Sequence, residues 1–493
     1  MLPGRVGGLR WYLLAGGLYL LLVVPFAHTT GAGESDSVAL LAGLIQGRLT
    51  GEGLGWAGLY GVHFSFLYCA AMLPLAGRLD PSAFVLTANL ISLAGGLASA
   101  LLAVALLRRF VALPWAAAAA LGFFATPATW PVWTYAHPFT LALPAALAAM
   151  LLLDAARRNS RARRTLYGLG AIAILAVAMG LRADVALILP AYASLLVWRE
   201  GLTWRRVAAL GLVATVALLG FTLLGRLLLP ATDGLPVEPL SEIAGFMRTY
   251  CEPTSPLRGA VAWVVATGVG MSLLLLTALV AAWTSGRRRA VCAALLWLLP
   301  TAVFWLANPL PARHFFLSAA GAVVWSVLLL RDWLPVRPLA GLLAAAVVVS
   351  LVLPGPYRLL GRVVEALPPY DPLTASVMEG QVRDLRHWRH WQERWQRFDA
   401  EAPSTVILAG TWQDYAEYLL YQSVRGRKCS FLHPGRDGRR GFPGLSHRGR
   451  TVLWLETYSA RETAADLGAA RGLPMPVVAG RARVALRGMP ICR

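Results

Sequence analysis

Glu34 and Asp36 are the first residues whose type and place ask for a chemical explanation. They stand in the stretch GAGESDSVALLAGLIQGRL, residues 31–49, just after an apolar run and at the head of an amphipathic helical pattern. Capping accounts for one carboxylate, since an Asp36 side chain can accept from the orphan N–H groups of that helix. The alternative is a general base: a carboxylate at a lipid boundary can take the proton of an attacking hydroxyl, as glycosyl transfer requires. A departing phosphate would then need cations. Arg182 and the pair Arg313-His314 are the candidates, because each ends a segment beside an apolar run, and Arg binds phosphate through two parallel donors. Asp184 follows Arg182 closely, so an internal ion pair or snorkelling accounts for those two as readily as a functional role does. Spacing alone does not bring these groups together.

The elements that must position them belong in a bilayer. Of 493 residues 57% are hydrophobic and 14% charged, with a mean hydropathy of +0.59, far too apolar for a soluble chain of this length. Runs of about 17 to 25 apolar residues suffice to cross roughly 30 Å of hydrocarbon as helices; open sheets cannot. A net charge of +20 would point to nucleic acid in a soluble protein. Here the arginines lie between apolar runs, where they set orientation, and no nucleic-acid partner is expected. The five cysteines follow no metal-ligand spacing, so no metal site follows from them, no divalent metal is indicated and any cofactor is left open. Cys429 and Cys492 share the tail, where they form a disulfide if it is extracytoplasmic or stay as two thiols. The run WYLLAGGLYLLLVVPFA resembles a signal sequence without an A-x-A cleavage site and is read as an uncleaved first span.

Twelve apolar runs begin near residues 9, 59, 83, 112, 138, 166, 184, 206, 259, 289, 314 and 338. Arg108-Arg109, the cluster from Arg157 to Arg164, Arg199 to Arg206, Arg287 to Arg289, and Arg331 with Arg337 occupy alternate connections and belong together in the cytoplasm. Arg5 and Arg10 join them only if one run before Arg108 does not cross. The weakest, 59–77, carries His63 and Pro74 and is read as a half-inserted helix on the outer side. This predicts a polytopic α-helical protein of the plasma (inner) membrane with about eleven transmembrane helices in residues 1–353. Its N-terminus is cytoplasmic, and residues 28–82 form the first outer loop. Residues 129–137, 229–258, 307–313 and the tail also face outward.

Prolines at 354, 356, 368 and 369 mark a linker over 354–373. Residues 374–493 hold no membrane-length run and are read as a small extracytoplasmic (periplasmic) α/β domain. Its leading segment TASVMEGQVRDLRHWRHWQERWQRF is a basic amphipathic helix with Trp388, Trp391 and Trp395 at helical spacing. Those rings either meet anionic lipid headgroups or pack against the domain. Strands are expected at STVILAG, KCSFL, TVLWLET and PVVAGRARVAL, with helices near 411–422 and 460–471. No phosphate-binding glycine loop or nucleophile elbow is present.

In order, the acidic pair ESD, the segment HFSF, LLRRF, TPATWPVWTYAHP, GLRADVALILP and NPLPARHFFLSAAG make residues 10–330 resemble the integral-membrane C-type (GT-C) glycosyltransferases. That class contains the protein O-mannosyltransferases and the lipid A aminoarabinose transferases. The resemblance implies a polyprenyl-phosphate sugar donor and a lipid, glycan or protein acceptor at the outer face. It further implies Asp36 as base with Glu34 as second choice, and Arg182, Arg313 and His314 on the donor phosphate. Many relatives carry an acid in the second outer loop, where TYAHPFTLALP has only Tyr135 and His137; with His63 these are candidates for the substrate cleft. A flippase for a lipid-linked intermediate and a non-catalytic assembly protein are the readings from other classes. The first is disfavoured by the lack of internal repeats and of midplane charges.

Overall fold

In the computed structural model the described residues are 3–33, 35–55, 65–201, 203–229, 256–306, 316–352, 377–401, 405–410, 412–431, 444–447, 450–456, 477–478 and 490–492. They divide into two compact units. One comprises residues 1–27, 63–68 and 90–383; the other, residues 28–62, 69–89 and 384–493. In chain order the helices are α1 (Pro3–Val23), α2 (Ser35–Thr50), α3 (Phe66–Arg78), α4 (Pro81–Leu107), α5 (Leu113–Phe124), α6 (Phe139–Arg158), α7 (Arg161–Leu181) and α8 (Ile188–Glu200). There follow α9 (Trp204–Leu228), α10 (Pro256–Thr267), α11 (Val269–Thr284), α12 (Arg288–Leu306), α13 (Phe316–Leu330), α14 (Val336–Leu351), α15 (Val377–Glu401) and α16 (Trp412–Val424).

The first unit is a helical bundle. All eleven expected runs are helical in it: α1, α4 to α9, the pair α10 and α11, and α12 to α14. Among the described residues α1, α4, α6, α7 and α9 are long and apolar enough to cross a membrane unaided, and the chain is a multi-pass membrane protein. Leu13, Leu21, Leu212, Leu219 and Leu227 are exposed on their helices, as side chains facing hydrocarbon should be. α1 and α4 run antiparallel, with the Tyr19 hydroxyl donating to the Leu93 carbonyl at 3.0 Å and the Arg108 guanidinium 5.8 Å from the Tyr12 ring. The chain therefore leaves α1 and re-enters α4 at the same end of the bundle. α3, with 13 residues, is about 20 Å long and too short to span the hydrocarbon by itself.

The expected cytoplasmic connections converge. Asp154 takes Arg158 at 3.1 Å and Arg109 at 3.7 Å, while Glu200 pairs with Arg157 and with Arg206. Arg289 donates to the Val197 carbonyl at 2.8 Å, Arg287 pairs with Asp332, and Arg331 lies 4.7 Å from the Trp198 ring. Charges spread over residues 109–332 are thus gathered at one end.

The run from residue 259 differs from expectation. It is broken at Gly268 into α10 and α11, which meet at 101°. Gly268 has φ +95°, and a Cβ there would fall 2.3 Å from the Ser350 hydroxyl. Only glycine meets both conditions at low cost. The turn is held by Ala128, whose N–H donates to the Ala266 carbonyl at 2.8 Å.

In the second unit, α2 is not a surface helix with one apolar face, since residues 37–47 are all buried. Its polar member Gln46 is satisfied, its amide donating to Ser423 Oγ at 2.9 Å and to the Arg427 carbonyl at 2.8 Å, which is why the side chain can be buried. α16 supplies the packing partner. On α15, Trp388, Trp391 and Trp395 are 2%, 1% and 3% exposed. They are a packing face, with Trp391 and Trp395 against Tyr421 and Tyr418 at 6.4 and 5.1 Å. The strands are β1 (Thr405–Gly410), β2 (Cys429–Phe431), β3 (Gly444–His447), β4 (Arg450–Glu456), β5 (Val477–Val478) and β6 (Pro490–Cys492). Their order in the larger sheet is β3-β4-β1-β5, with β1 parallel to both β4 and β5 and β3 antiparallel to β4, and β2 pairs with β6 in a second sheet. The helix expected near 460–471 lies outside the described residues.

Candidate functional site

Asp36 lies in the first turn of α2, where the positive end of the helix favours a carboxylate; its side chain is outside the described part. The segment that delivers it is held firmly. Asn89, buried on α4, donates its amide to the carbonyls of His28 and Gly31, both at 2.9 Å. Thr30 donates to the Trp388 carbonyl at 2.9 Å. Gly31 sits so close to α15 that a Cβ would be 2.0 Å from the Trp388 ring. His28 Nε2 is 3.3 Å from Asp384 Oδ2, with the histidine side chain fully buried and the carboxylate 23% exposed.

Burial pushes the His28 ring down to about 4. It also pushes the Asp384 carboxyl up to about 7, against a lowering by His387 and with a further push from Glu417. Both shifts favour the neutral forms, so desolvation outweighs the attraction of opposite charges here. Glu417, buried on α16, takes His387 at 2.8 Å and Arg394 at 3.7 Å, and accepting the hydrogen bond of the His387 ring shifts that histidine upward.

In the helical unit, Arg182 is the extended residue that ends α7 before a 3-10 turn over Ala183–Leu187. Its Nε donates to Asp184 Oδ1 at 3.0 Å, and both side chains are largely shielded, at 16% and 17% exposed. Tyr135 and His137 come together in the turn before α6, ring centroids 6.2 Å apart, and both are buried. His137 Nδ1 accepts the Phe139 N–H at 3.1 Å, which leaves the proton of a neutral ring on Nε2. The backbone N–H of His137 donates to Ser92 Oγ at 3.2 Å, and the Thr140 hydroxyl reaches that oxygen at 2.9 Å. Nearby, Trp130 Nε1 donates to the Leu22 carbonyl at 3.0 Å, anchoring the turn at the end of α1.

Glu34, His63, Arg313 and His314 lie outside the described residues. Asp36 belongs to one unit, and Arg182, Tyr135 and His137 to the other. Among the described residues no group of three or more His, Cys, Asp or Glu could hold a metal ion.

No family model matches the sequence, and no curated protein does. Among solved structures, ArnT from Cupriavidus metallidurans bound to undecaprenyl phosphate is similar at 15% identity, over 86% of this chain and 77% of that one, with a TM-score of 0.49. The oligosaccharyltransferase of Archaeoglobus fulgidus in its apo form is similar at 14% identity over 85% of this chain, with a TM-score of 0.50; the chain spans 64% of that protein's length. The fold is GT-C-like.

Within this GT-C-like fold, sequence reading missed His28, Asn89 and Asp384. His28 directly follows the first apolar run, and a titratable side chain there was the available signal. Its partner is hundreds of residues away, and no local pattern announces it.

Proposed function

We propose that the chain is a membrane glycosyltransferase that moves a sugar from a polyprenyl-phosphate donor to an acceptor at the extracytoplasmic face. The observation that carries the reading is Asp36 in the first turn of α2, on a segment tied down by Asn89 and Thr30 just after the first span of a GT-C-like fold. The Archaeoglobus protein of similar fold is an oligosaccharyltransferase. Asp36, with Glu34 as second choice, takes the proton of the acceptor hydroxyl as its oxygen attacks the anomeric carbon. The bond to the phosphate oxygen breaks on the opposite side, the configuration inverts, and polyprenyl phosphate leaves. Arg182, Arg313 and His314 stabilise its charge, and His63, Tyr135 and His137 are assigned to the cleft.

The test is release of polyprenyl phosphate from a panel of polyprenyl-phosphate monosaccharides by purified, reconstituted protein supplied with lipid, glycan and peptide acceptors. Asp36→Asn abolishes release while expression and melting temperature stay near those of the parent. An active Asp36→Asn with an inactive Glu34→Gln moves the base two residues earlier in the chain. Full activity in both variants refutes the mechanism.

A further inference from the structure

The five cysteines do not have equal surroundings. Cys69 on α3 and Cys292 on α12 are free thiols. Cys429 and Cys492 instead occupy facing positions of one antiparallel ladder, in which β2 and β6 pair Cys429 with Cys492, Ser430 with Ile491 and Phe431 with Pro490.

Proline decides which kind of pair the cysteines make. Facing residues in an antiparallel ladder alternate between pairs that exchange both N–H···O bonds and pairs that exchange none. Pro490 has no N–H, so Phe431 and Pro490 form a pair of the second kind. Ser430 with Ile491 then carries the hydrogen bonds, and Cys429 with Cys492, two positions from the proline pair, is again of the second kind. Such pairs hold their Cα atoms about 4.5 Å apart, inside the range of roughly 4.4–6.8 Å that a disulfide bridges.

We infer that Cys429 and Cys492 form a disulfide that fastens β6 to β2 and closes the whole segment between them, including β3, β4 and β5. The inference rests on the extracytoplasmic placement of the tail, since such bonds persist in oxidising compartments. Each thiol loses its proton and the two sulfurs join. The two electrons pass by thiol–disulfide exchange to the disulfide of an extracytoplasmic dithiol oxidoreductase, which leaves as its dithiol.

The test takes full-length protein in its membranes, denatures it with a maleimide present and no reductant, and maps the adducts by mass spectrometry. Cys69, Cys251 and Cys292 are expected to react at once, Cys429 and Cys492 only after reduction, with a peptide joined through the latter two before it. Cys429 and Cys492 reacting without reductant overturns the inference. A separate arm locates the tail through Arg389→Cys, an exposed position on α15, with a membrane-impermeant maleimide on intact cells. Labelling from outside together with free Cys429 and Cys492 sinks the disulfide and leaves the topology standing. Labelling only after permeabilisation sinks the topology, whatever the thiols show.

Discussion

Replacing Asp384 by Asn removes a carboxyl and leaves His28 buried where it was, which exposes two opposing pH dependences in the second unit. His28 titrates at about 4 when folded and at about 6.5 when unfolded. Between those values the unfolded chain holds the extra proton, so this residue makes stability rise with pH, by about 3 kcal/mol over the full interval. Asp384 works the other way, titrating at about 7 when folded and at about 3.9 when unfolded. The folded state holds the extra proton between them, and stability falls as pH rises, by up to about 4 kcal/mol. In the parent the slopes oppose from pH 4.5 to 6.0 and the net dependence is shallow. Asp384→Asn is expected to gain stability with pH across that window, and His28→Gln to lose it, each by roughly 3–5 °C of apparent melting temperature per pH unit. The window ends at 6.0 because His387, raised by Glu417, contributes stability that is full below about 6.5 and lost as pH climbs through its folded value. Melting in detergent at constant ionic strength gives the slopes, and hydrogen exchange of peptides from α15 assigns them to this unit. Equal slopes in all three proteins refute the claim that these two groups titrate against each other.

Two glycines give sharper tests of packing. Gly31→Ala places a methyl 2.0 Å from the Trp388 ring and should cost about 1–3 kcal/mol, seen as a lower melting temperature with earlier proteolysis of α15. Gly268→Ala meets both the positive φ and the Ser350 side chain; each contributes about 1–3 kcal/mol. Adding Ser350→Gly should restore only the steric part, and full recovery would show that the backbone at the break is not strained.

Much of the first unit was legible because hydrophobic length and arginine placement are local quantities. Eleven runs became helices, and connections from Arg109 to Asp332 met at one end, as charge alternation required. Trp388, Trp391 and Trp395 at helical spacing named a face, but its occupant depended on Tyr418 and Tyr421 on another element. The break at Gly268 was not legible, since a glycine inside an apolar run is ordinary in membrane helices, and only Ser350 across the interface makes it obligatory. The burial of α2 was hidden for the same reason: Gln46 reads as solvent-facing until Ser423 and the Arg427 carbonyl are found beside it. In the candidate site, the Arg182 to Asp184 pair was visible at a spacing of two, whereas the anchors of residues 28–31 come from Asn89 and Trp388.

The second unit is assembled from residues 28–62 and 69–89 together with 384–493, and that has a consequence for synthesis. α2 emerges early with buried faces but no partner, and α15 and α16 follow only after roughly 300 further residues have been made. At about 5–20 residues per second this is a wait on the order of 15 to 60 s. Throughout it, α2, with Leu40, Leu41 and Ile45 on its buried surface, lacks the α16 partner it packs against in the folded unit. Most of the bundle has therefore been made before α16 can pack on α2, which makes α2 the natural client of a holding chaperone and a poor candidate for expression as a fragment.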